Sequence, residues 1–229
     1  MDFGTDNYAL VTWANIPATD GRRLALGWMS NWQYAQQVPT EKWRSAMTLP
    51  RELTLHKISG DYYIYSSPVK ELNSIEDKTV EYKAQEIKDT TLLANKTDAH
   101  LYKLQFNFQK PAVGNIEFKI SNTAGEYIAI GYNAAEHEYY TNREHSGKTG
   151  FSKDFPKRVT AKTYYTDSTV LFELYLDRSS AELFADGGKL SLTTIHFPAT
   201  PYSKIELSAN NSVQLISGKI TELHSIWKK

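Results

Sequence analysis

Length, composition and charge exclude several classes of protein. The chain has 229 residues, 41% of them hydrophobic, which is enough for one large or two ordinary domains with a sizeable core. Its 26 Lys and Arg balance 26 Asp and Glu, and no apolar run approaches the roughly 20 residues of a membrane-spanning helix. We therefore expect no nucleic-acid or membrane partner and favour an uncharged one. The absence of cysteine excludes disulfides, thiolate catalysis and Cys-ligated zinc, and leaves the compartment open.

The first residues carry no targeting signal. Met1 is followed by Asp2, Phe3 and Gly4, without the basic and apolar segments of a secretory leader. We therefore expect the chain to begin inside a longer protein.

Strand-like alternation dominates the whole chain, and no window of a dozen residues keeps a helical period with caps. The sequence therefore predicts an all-β fold. Residues 1–72 predict four short strands, separated by turn residues such as 17–21 and 59–61. Four short strands make about one blade of a β-propeller. These strands are residues 8–14, 23–29, 45–57 (broken by Pro50) and 62–66.

A second region, residues 73–229, follows Pro68 and the polar stretch 71–77. Its strands alternate more regularly, and Asp186-Gly187-Gly188 predicts a tight turn because glycine tolerates positive φ. Ten strands joined by hairpins predict a two-sheet β-sandwich. They are residues 101–108, 116–120, 127–132, 159–165, 170–177, 181–185, 190–197, 204–208, 213–217 and 220–227.

Motifs for metal and nucleotide chemistry are missing from the sequence. No Gly-rich phosphate loop, Gly-x-Ser-x-Gly elbow or kinase motif occurs, and the histidines form no His-x-x-x-His pair. We therefore predict neither a metal site nor a cofactor. The histidines are His56, His100, His137, His145, His196 and His224.

Aromatic residues make up 13% of the chain, and four of the five tryptophans lie within the first 43 residues. Residues 27–35 read Gly-Trp-Met-Ser-Asn-Trp-Gln-Tyr-Ala, a predicted strand that runs into an amide-rich loop. Tryptophan stacks on the C–H faces of sugars, and Asn and Gln bind hydroxyl groups, so this loop suggests a sugar site. A half-buried tryptophan at a strand end is the alternative.

Four blocks of sequence carry a more specific signal. Residues 2–9 read Asp-Phe-Gly-Thr-Asp-Asn-Tyr-Ala, residues 27–35 and 43–53 follow, and residues 172–184 precede Asp186-Gly187-Gly188. In this order the blocks resemble glycoside hydrolase family 32, the levanases, inulinases and invertases. The resemblance implies the last blade or blades of a five-bladed β-propeller followed by a C-terminal β-sandwich. It also implies an exported parent enzyme, extracellular or periplasmic.

The resemblance implies which residues reach the sugar. Asp2 matches the Asp of the family's Asp-aromatic-Gly motif and would accept a hydrogen bond from a sugar hydroxyl. Trp32 matches the aromatic residue that walls the fructosyl pocket, and Asn31 and Gln33 are candidates of the same kind. Plant sucrose-cleaving members often have Lys three residues after that Asp, whereas this chain has Thr5, so their leaving-group contacts are not carried over.

The family's catalytic motifs do not occur in the chain. Its retaining mechanism uses a carboxylate nucleophile and a carboxylic acid about 5 Å apart, and the motifs that carry both belong upstream. We therefore expect no catalytic residue, and an inactive C-terminal segment of an exo-β-fructosidase that acts on fructan or sucrose. Without its upstream blades, the exposed blade should favour self-association.

Two other functions stay open. The sandwich could be a non-catalytic carbohydrate-binding module, in which Tyr139 and Tyr140 of a predicted polar loop would stack on sugar. Alternatively, it could serve only to stabilise the propeller. Asp177, Arg178 and Glu182 belong to the family's sandwich motif, and we expect them to order a hairpin or the interdomain face rather than to catalyse.

Overall fold

The computed structural model describes residues 2–96, 101–163 and 165–227. These residues form sixteen β-strands and two short 3₁₀ helices, which confirms the all-β prediction. No helix among them is long and apolar enough to cross a membrane. Met1, His100 and Tyr164, the last within the predicted strand 159–165, lie outside the described residues.

The first five strands form one antiparallel sheet, the blade sheet, in the order β1-β2-β4-β5 with β3 paired to β2. Pro50 divides the predicted third strand into β3 and β4, since proline has no N–H for a strand ladder. The β4–β5 turn consists of Ser59 and Gly60, both at positive φ, as a two-residue hairpin turn requires. The strands are β1 (Tyr8–Thr12), β2 (Arg23–Met29), β3 (Ala46–Met47), β4 (Arg51–Ile58) and β5 (Asp61–Pro68).

The 3₁₀ helix Lys70–Ile75 leads into the sandwich, a second sheet of eleven strands. Strands β14 and β15 are joined by the second 3₁₀ helix, Asp186–Gly188, at the predicted Asp-Gly-Gly turn. The strands are β6 (Glu76–Tyr82), β7 (Gln85–Asn95), β8 (Tyr102–Gln109), β9 (Asn115–Ser121), β10 (Tyr127–Asn133), β11 (Glu138–Asn142), β12 (Arg158–Lys162), β13 (Thr169–Leu176), β14 (Ser180–Ala185), β15 (Leu190–Ile195) and β16 (Lys204–Leu223).

Strand β16 joins the two layers of the sandwich. Its first half pairs with β7 and β9, and its second half pairs with β6 and β8. The sheet order β12-β11-β10-β9-β16-β8-β13-β14-β15 therefore folds back on itself through one 20-residue strand. The sequence predicted three separate strands there, because the apolar alternation is interrupted where β16 changes partners.

The core of the sandwich lies between these layers. Leu104, Phe106 and Phe108 of β8 are at most 2% exposed, as their shared face predicted. The Phe118 ring from β9 packs edge-on against Phe106 and Phe172, with ring centroids 5.1 and 5.2 Å apart. The apolar alternation of the predicted strands thus identifies this core correctly.

Two expectations about the sandwich are wrong. Strands β6, β7 and β11 were not predicted. β6 and β7 are mostly exposed and β11 is buried on both faces, so none of the three alternates clearly between buried and exposed residues. Tyr139 and Tyr140 lie in β11 and are 0% and 5% exposed, rather than in a polar loop. They have no open ring face on which a sugar could stack.

A second apolar cluster lies between the blade sheet and the sandwich. Met29, Tyr34 and Val38 from the first region pack with residues from the loops and edge of the sandwich. Burial of such apolar side chains stabilises the contact of the two sheets. The sandwich contributes Phe155, Ile195 and Phe197.

Candidate functional site

Trp32 lies in the turn that follows β2 and is 64% exposed. It packs against Trp28, with ring centroids 5.2 Å apart, and edge-on against Tyr8 at 6.3 Å. Tyr8 is directly opposite Trp28 in the β1–β2 pairing and is itself 52% exposed. These three residues, the aromatic cluster, form an open surface of the kind that stacks on sugar rings.

Asn31 and Gln33 flank Trp32 but differ in what they contact. The Asn31 amide donates to the Thr5 carbonyl at 2.8 Å, and its side-chain oxygen accepts from the Gln33 backbone N–H at 2.9 Å. Asn31 therefore shapes the turn and ties it to the segment before β1. Gln33 is exposed beside Trp32.

Asp2 lies at the contact between the blade sheet and the sandwich, where its side chain is 6% exposed. One oxygen accepts from the backbone N–H groups of Gly4 and Thr193, at 2.8 and 3.1 Å. The other accepts from Arg51 at 2.7 Å, from the Thr193 hydroxyl at 2.6 Å and from Asn7 at 3.0 Å. Both oxygens are thus occupied by protein donors, and the sugar contact of Asp2 stays a prediction.

The pKa of Asp2 is lowered from its ordinary value of 3.8. Burial by itself raises this pKa, but the charge of Arg51 and the hydrogen bonds from Thr193 and Asn7 outweigh burial. The carboxylate is therefore ionised at neutral pH.

Arg51, which the sequence analysis did not single out, joins the two sheets. It is 1% exposed and pairs with Asp2 and with Glu182 of β14, each at 2.7 Å. It also donates to Thr193 at 2.6 Å, and Glu182 in turn accepts from the Leu49 N–H at 2.8 Å. These contacts place Glu182 between the blade sheet and the sandwich. Burial raises the pKa of Glu182, although Arg51 opposes that shift.

Arg143 makes a second buried connection that sequence reasoning missed. This residue follows β11 and donates to Asp6 and to the Tyr34 hydroxyl. Composition offered no signal for either arginine, since Glu182 lies 131 positions from Arg51 and Asp6 lies 137 positions from Arg143.

Two glycines of the family-like motifs lie at the same contact. A Cβ on Gly4 would stand 2.2 Å from the backbone of Thr193. Gly188 has φ of +85°, and a Cβ there would stand 2.4 Å from the Ser67 hydroxyl of β5. Only glycine allows both close approaches. The Asp-Phe-Gly and Asp-Gly-Gly motifs therefore hold the blade sheet against the sandwich.

The buried carboxylates at this contact are poor candidates for catalysis. Asp2 and Glu182 both pair with Arg51, and their side chains are 6% and 4% exposed, so neither carboxylate is free to attack a sugar or to protonate a leaving oxygen. Among the residues that the structure describes, no group of three His, Asp or Glu side chains could hold a metal ion.

Comparison with known proteins identifies the architecture. The family model "Glycosyl hydrolases family 32 N-terminal domain" matches residues 1–68, and the model "Glycosyl hydrolases family 32 C terminal" matches residues 71–226. The crystal structure of the exo-inulinase from Aspergillus awamori superposes with a TM-score of 0.86 at 25% identity, over 99% of this chain and 44% of that one. The fold is thus that of the glycoside hydrolases that combine a β-propeller with a β-sandwich.

Two curated relatives agree with this class. A levanase of Bacillus subtilis is 35% identical over 99% of this chain and 34% of its own length. An extracellular exo-inulinase of Aspergillus awamori is 29% identical over 99% of this chain and 43% of its own length. The chain belongs to glycosyl hydrolase family 32. It spans between a third and a half of the length of these relatives.

Proposed function

We propose that this chain is the C-terminal part of a retaining exo-β-fructosidase that hydrolyses fructan or sucrose. The matched relatives are a levanase, exo-inulinases and an invertase, and these names indicate enzymes that act on fructose-containing sugars. The observation that carries the proposal is the exposed aromatic cluster around Trp32, in a chain that matches both family 32 models.

We assign residues 1–72 to the propeller and residues 73–229 to the sandwich. The chain leaves the blade sheet at Pro68 and enters the sandwich at Glu76, and the two family models meet between residues 68 and 71. These observations support a boundary in the 3₁₀ helix that connects the sheets.

The chain contributes a wall of the sugar pocket. Trp32 presents an open ring face for stacking on fructose, and Gln33 lies exposed beside it, where its amide can bind a hydroxyl. Asn31 and Asp2 complete the proposed sugar contacts. Since both already hold protein partners, a sugar hydroxyl would add to or replace one of those hydrogen bonds.

The carboxylates of the retaining mechanism come from outside this chain in our proposal. That mechanism needs a nucleophile and an acid about 5 Å apart on either side of the glycosidic bond. Several pairs of carboxylates in the described residues share a cation that neutralises them. They are Asp2 and Glu182 on Arg51, Asp20 and Glu71 on Arg22, and Glu76 and Glu173 on Lys103. The chain by itself is therefore inactive.

An activity assay tests this proposal. The purified chain is incubated with levan, inulin and sucrose, and released fructose is measured. We expect none. Turnover that persists through purification and disappears in an Asp2→Asn variant would overturn the proposal, because it would place a catalytic carboxylate within the chain.

The same proposal extends to assembly. Leu55, Tyr62 and Ile64 are 66%, 65% and 43% exposed, and the β4–β5 register places Leu55 opposite Ile64 on one face of the blade sheet. Upstream blades of a complete propeller would cover such a face. In the chain alone, we propose that this apolar face pairs with a second copy.

A further inference from the structure

Arg143 is a sandwich residue with an unusually complete set of contacts. It is 1% exposed, and each of its three side-chain nitrogens donates a hydrogen bond: Nη1 to Asp6 at 2.5 Å, Nη2 to the Tyr34 hydroxyl at 2.9 Å and Nε to the Phe155 carbonyl at 2.6 Å. The guanidinium also lies over the Phe155 ring, 3.9 Å from its centroid. The guanidinium is planar and its N–H donors point in fixed directions, so it holds its partners in fixed positions relative to one another.

Of those partners, Tyr34 belongs to the turn that carries Trp32, and Asp6 belongs to the segment before β1. Tyr34 is two residues beyond Trp32, in a turn closed by the Tyr34 and Ala35 N–H groups, which donate to the Asn31 carbonyl at 3.1 and 2.8 Å. Asp6 adjoins Thr5, whose carbonyl accepts from the Asn31 amide. The turn is thus held by Tyr34 within it and by Thr5, the chain neighbour of Asp6, and Arg143 contacts Tyr34 and Asp6.

Asp6 and Tyr34 complete the arrangement through a direct hydrogen bond. The Tyr34 hydroxyl donates to Asp6, and Asp6 also accepts from the Ile195 N–H of β15 at 3.0 Å. Burial, together with the Asp6 charge, raises the pKa of Tyr34, so its hydroxyl keeps the proton that it donates. Asp6 is 0% exposed, and Arg143 supplies the positive charge that balances it.

We propose that Arg143 is a positioning residue of the sugar pocket. Through Asp6 and Tyr34 it sets the orientation of the turn at residues 31–37, and with it the face that Trp32 presents. The sandwich then takes part in sugar binding without touching sugar. The sugar part of this inference rests on the proposed function, whereas the positioning of Trp32 does not.

Fluorine NMR on the whole chain tests the positioning directly. The five tryptophans are replaced by 5-fluorotryptophan, and the Trp32 signal is assigned with a Trp32→Phe variant. Arg143→Gln is expected to shift or broaden the Trp32 and Trp28 signals, while Trp227, which is 80% exposed near the chain end, is unchanged. Arg143→Lys keeps the positive charge but lacks the planar guanidinium, and it should move the Trp32 signal less than Arg143→Gln does.

A matched control separates positioning from general destabilisation. Lys103 is also buried, at 6% exposure, and pairs with Glu76 and Glu173 elsewhere in the sandwich. Lys103→Met should lower stability without moving the Trp32 signal. A folded Arg143→Gln variant whose Trp32 signal matches that of the parent chain would overturn the proposal.

A second variant covers the case in which Arg143→Gln does not fold. Tyr34→Phe removes one hydroxyl from the network and should move the Trp32 signal by a smaller amount. If it leaves that signal unchanged, Arg143 does not act through Tyr34 and the proposal fails.

Adding a fructan oligosaccharide to the complete enzyme separates this inference from the proposed function. If the sugar leaves the Trp32 signal of the complete enzyme unmoved, the sugar role fails while the positioning stands. If the sugar moves that signal but Arg143→Gln does not, the positioning fails and the sugar role stands.

Discussion

The blade sheet and the sandwich differ in how they bury their apolar residues. The sandwich encloses its own core, because β16 crosses from one layer to the other and leaves Leu104 and Phe118 at 0% exposure. The blade sheet leaves Leu55 and Tyr62 about two thirds exposed, and it is held to the sandwich by Arg51 and Arg143. A closed sheet is stable by itself, whereas a propeller blade depends on its neighbours.

Removing Arg51, which connects the two sheets, should have the largest effect on stability. Arg51→Met leaves Asp2 and Glu182 buried without their cation, which should lower the free energy of unfolding by about 3–5 kcal/mol. Urea unfolding measures this loss. Lys88→Met, which removes an exposed surface pair with Glu86, is the control and should leave the unfolding midpoint in place. Equal midpoints for all three proteins would show that the blade sheet does not depend on this contact.

The aromatic cluster should matter for catalysis rather than for folding. In the complete enzyme, Trp32→Ala removes an exposed stacking face and should lower kcat/KM by roughly 10- to 100-fold, or about 1–3 kcal/mol. Trp13→Ala, another exposed tryptophan of the first region, is the control and should change kcat/KM little. Trp28→Ala should reduce stability more than catalysis, since Trp28 is partly buried. An unchanged kcat/KM in Trp32→Ala would remove Trp32 from the sugar site.

The dependence of stability on pH tests the ion pair between Asp2 and Arg51. The pKa of Asp2 is lower in the folded chain than its ordinary 3.8. Asp2 therefore contributes stability that is fully present above about pH 5 and is lost as the pH falls through 3.8 towards the folded pKa. The difference in unfolding free energy between the parent chain and Asp2→Asn should shrink over that range. A difference that is constant with pH would contradict the ion pair.

Substitutions on the exposed face of the blade sheet should have the smallest effect, and they should change only the self-association of the chain. Leu55→Ser combined with Ile64→Thr removes apolar area from that face and should lower the mass measured by light scattering towards that of a monomer. Leu92→Ser is the matched control, because Leu92 is 52% exposed but lies on β7 of the sandwich. A monomeric parent chain would show that the exposed face does not self-associate.

Local patterns in the sequence determined the all-β fold, most of the strands and the core face of β8, because side-chain direction in a strand alternates with a period of two. Sequence motifs also identified the family before any contact was known. They could not reveal that β16 is one strand, since its partners lie in both layers of the sandwich. Nor could they predict that Tyr139 and Tyr140 are buried, because β11 is covered on both faces.

The sequence and the tertiary structure differ most in what they reveal about the partners of charged residues. The sequence could mark Asp2 as a motif residue, but only the tertiary structure brings it to Arg51 and Thr193, the latter 191 positions away. The same holds for Arg143 and Asp6, which are 137 positions apart. A charged side chain takes its partner from whichever segment packing brings near, and no local period in the sequence encodes that choice.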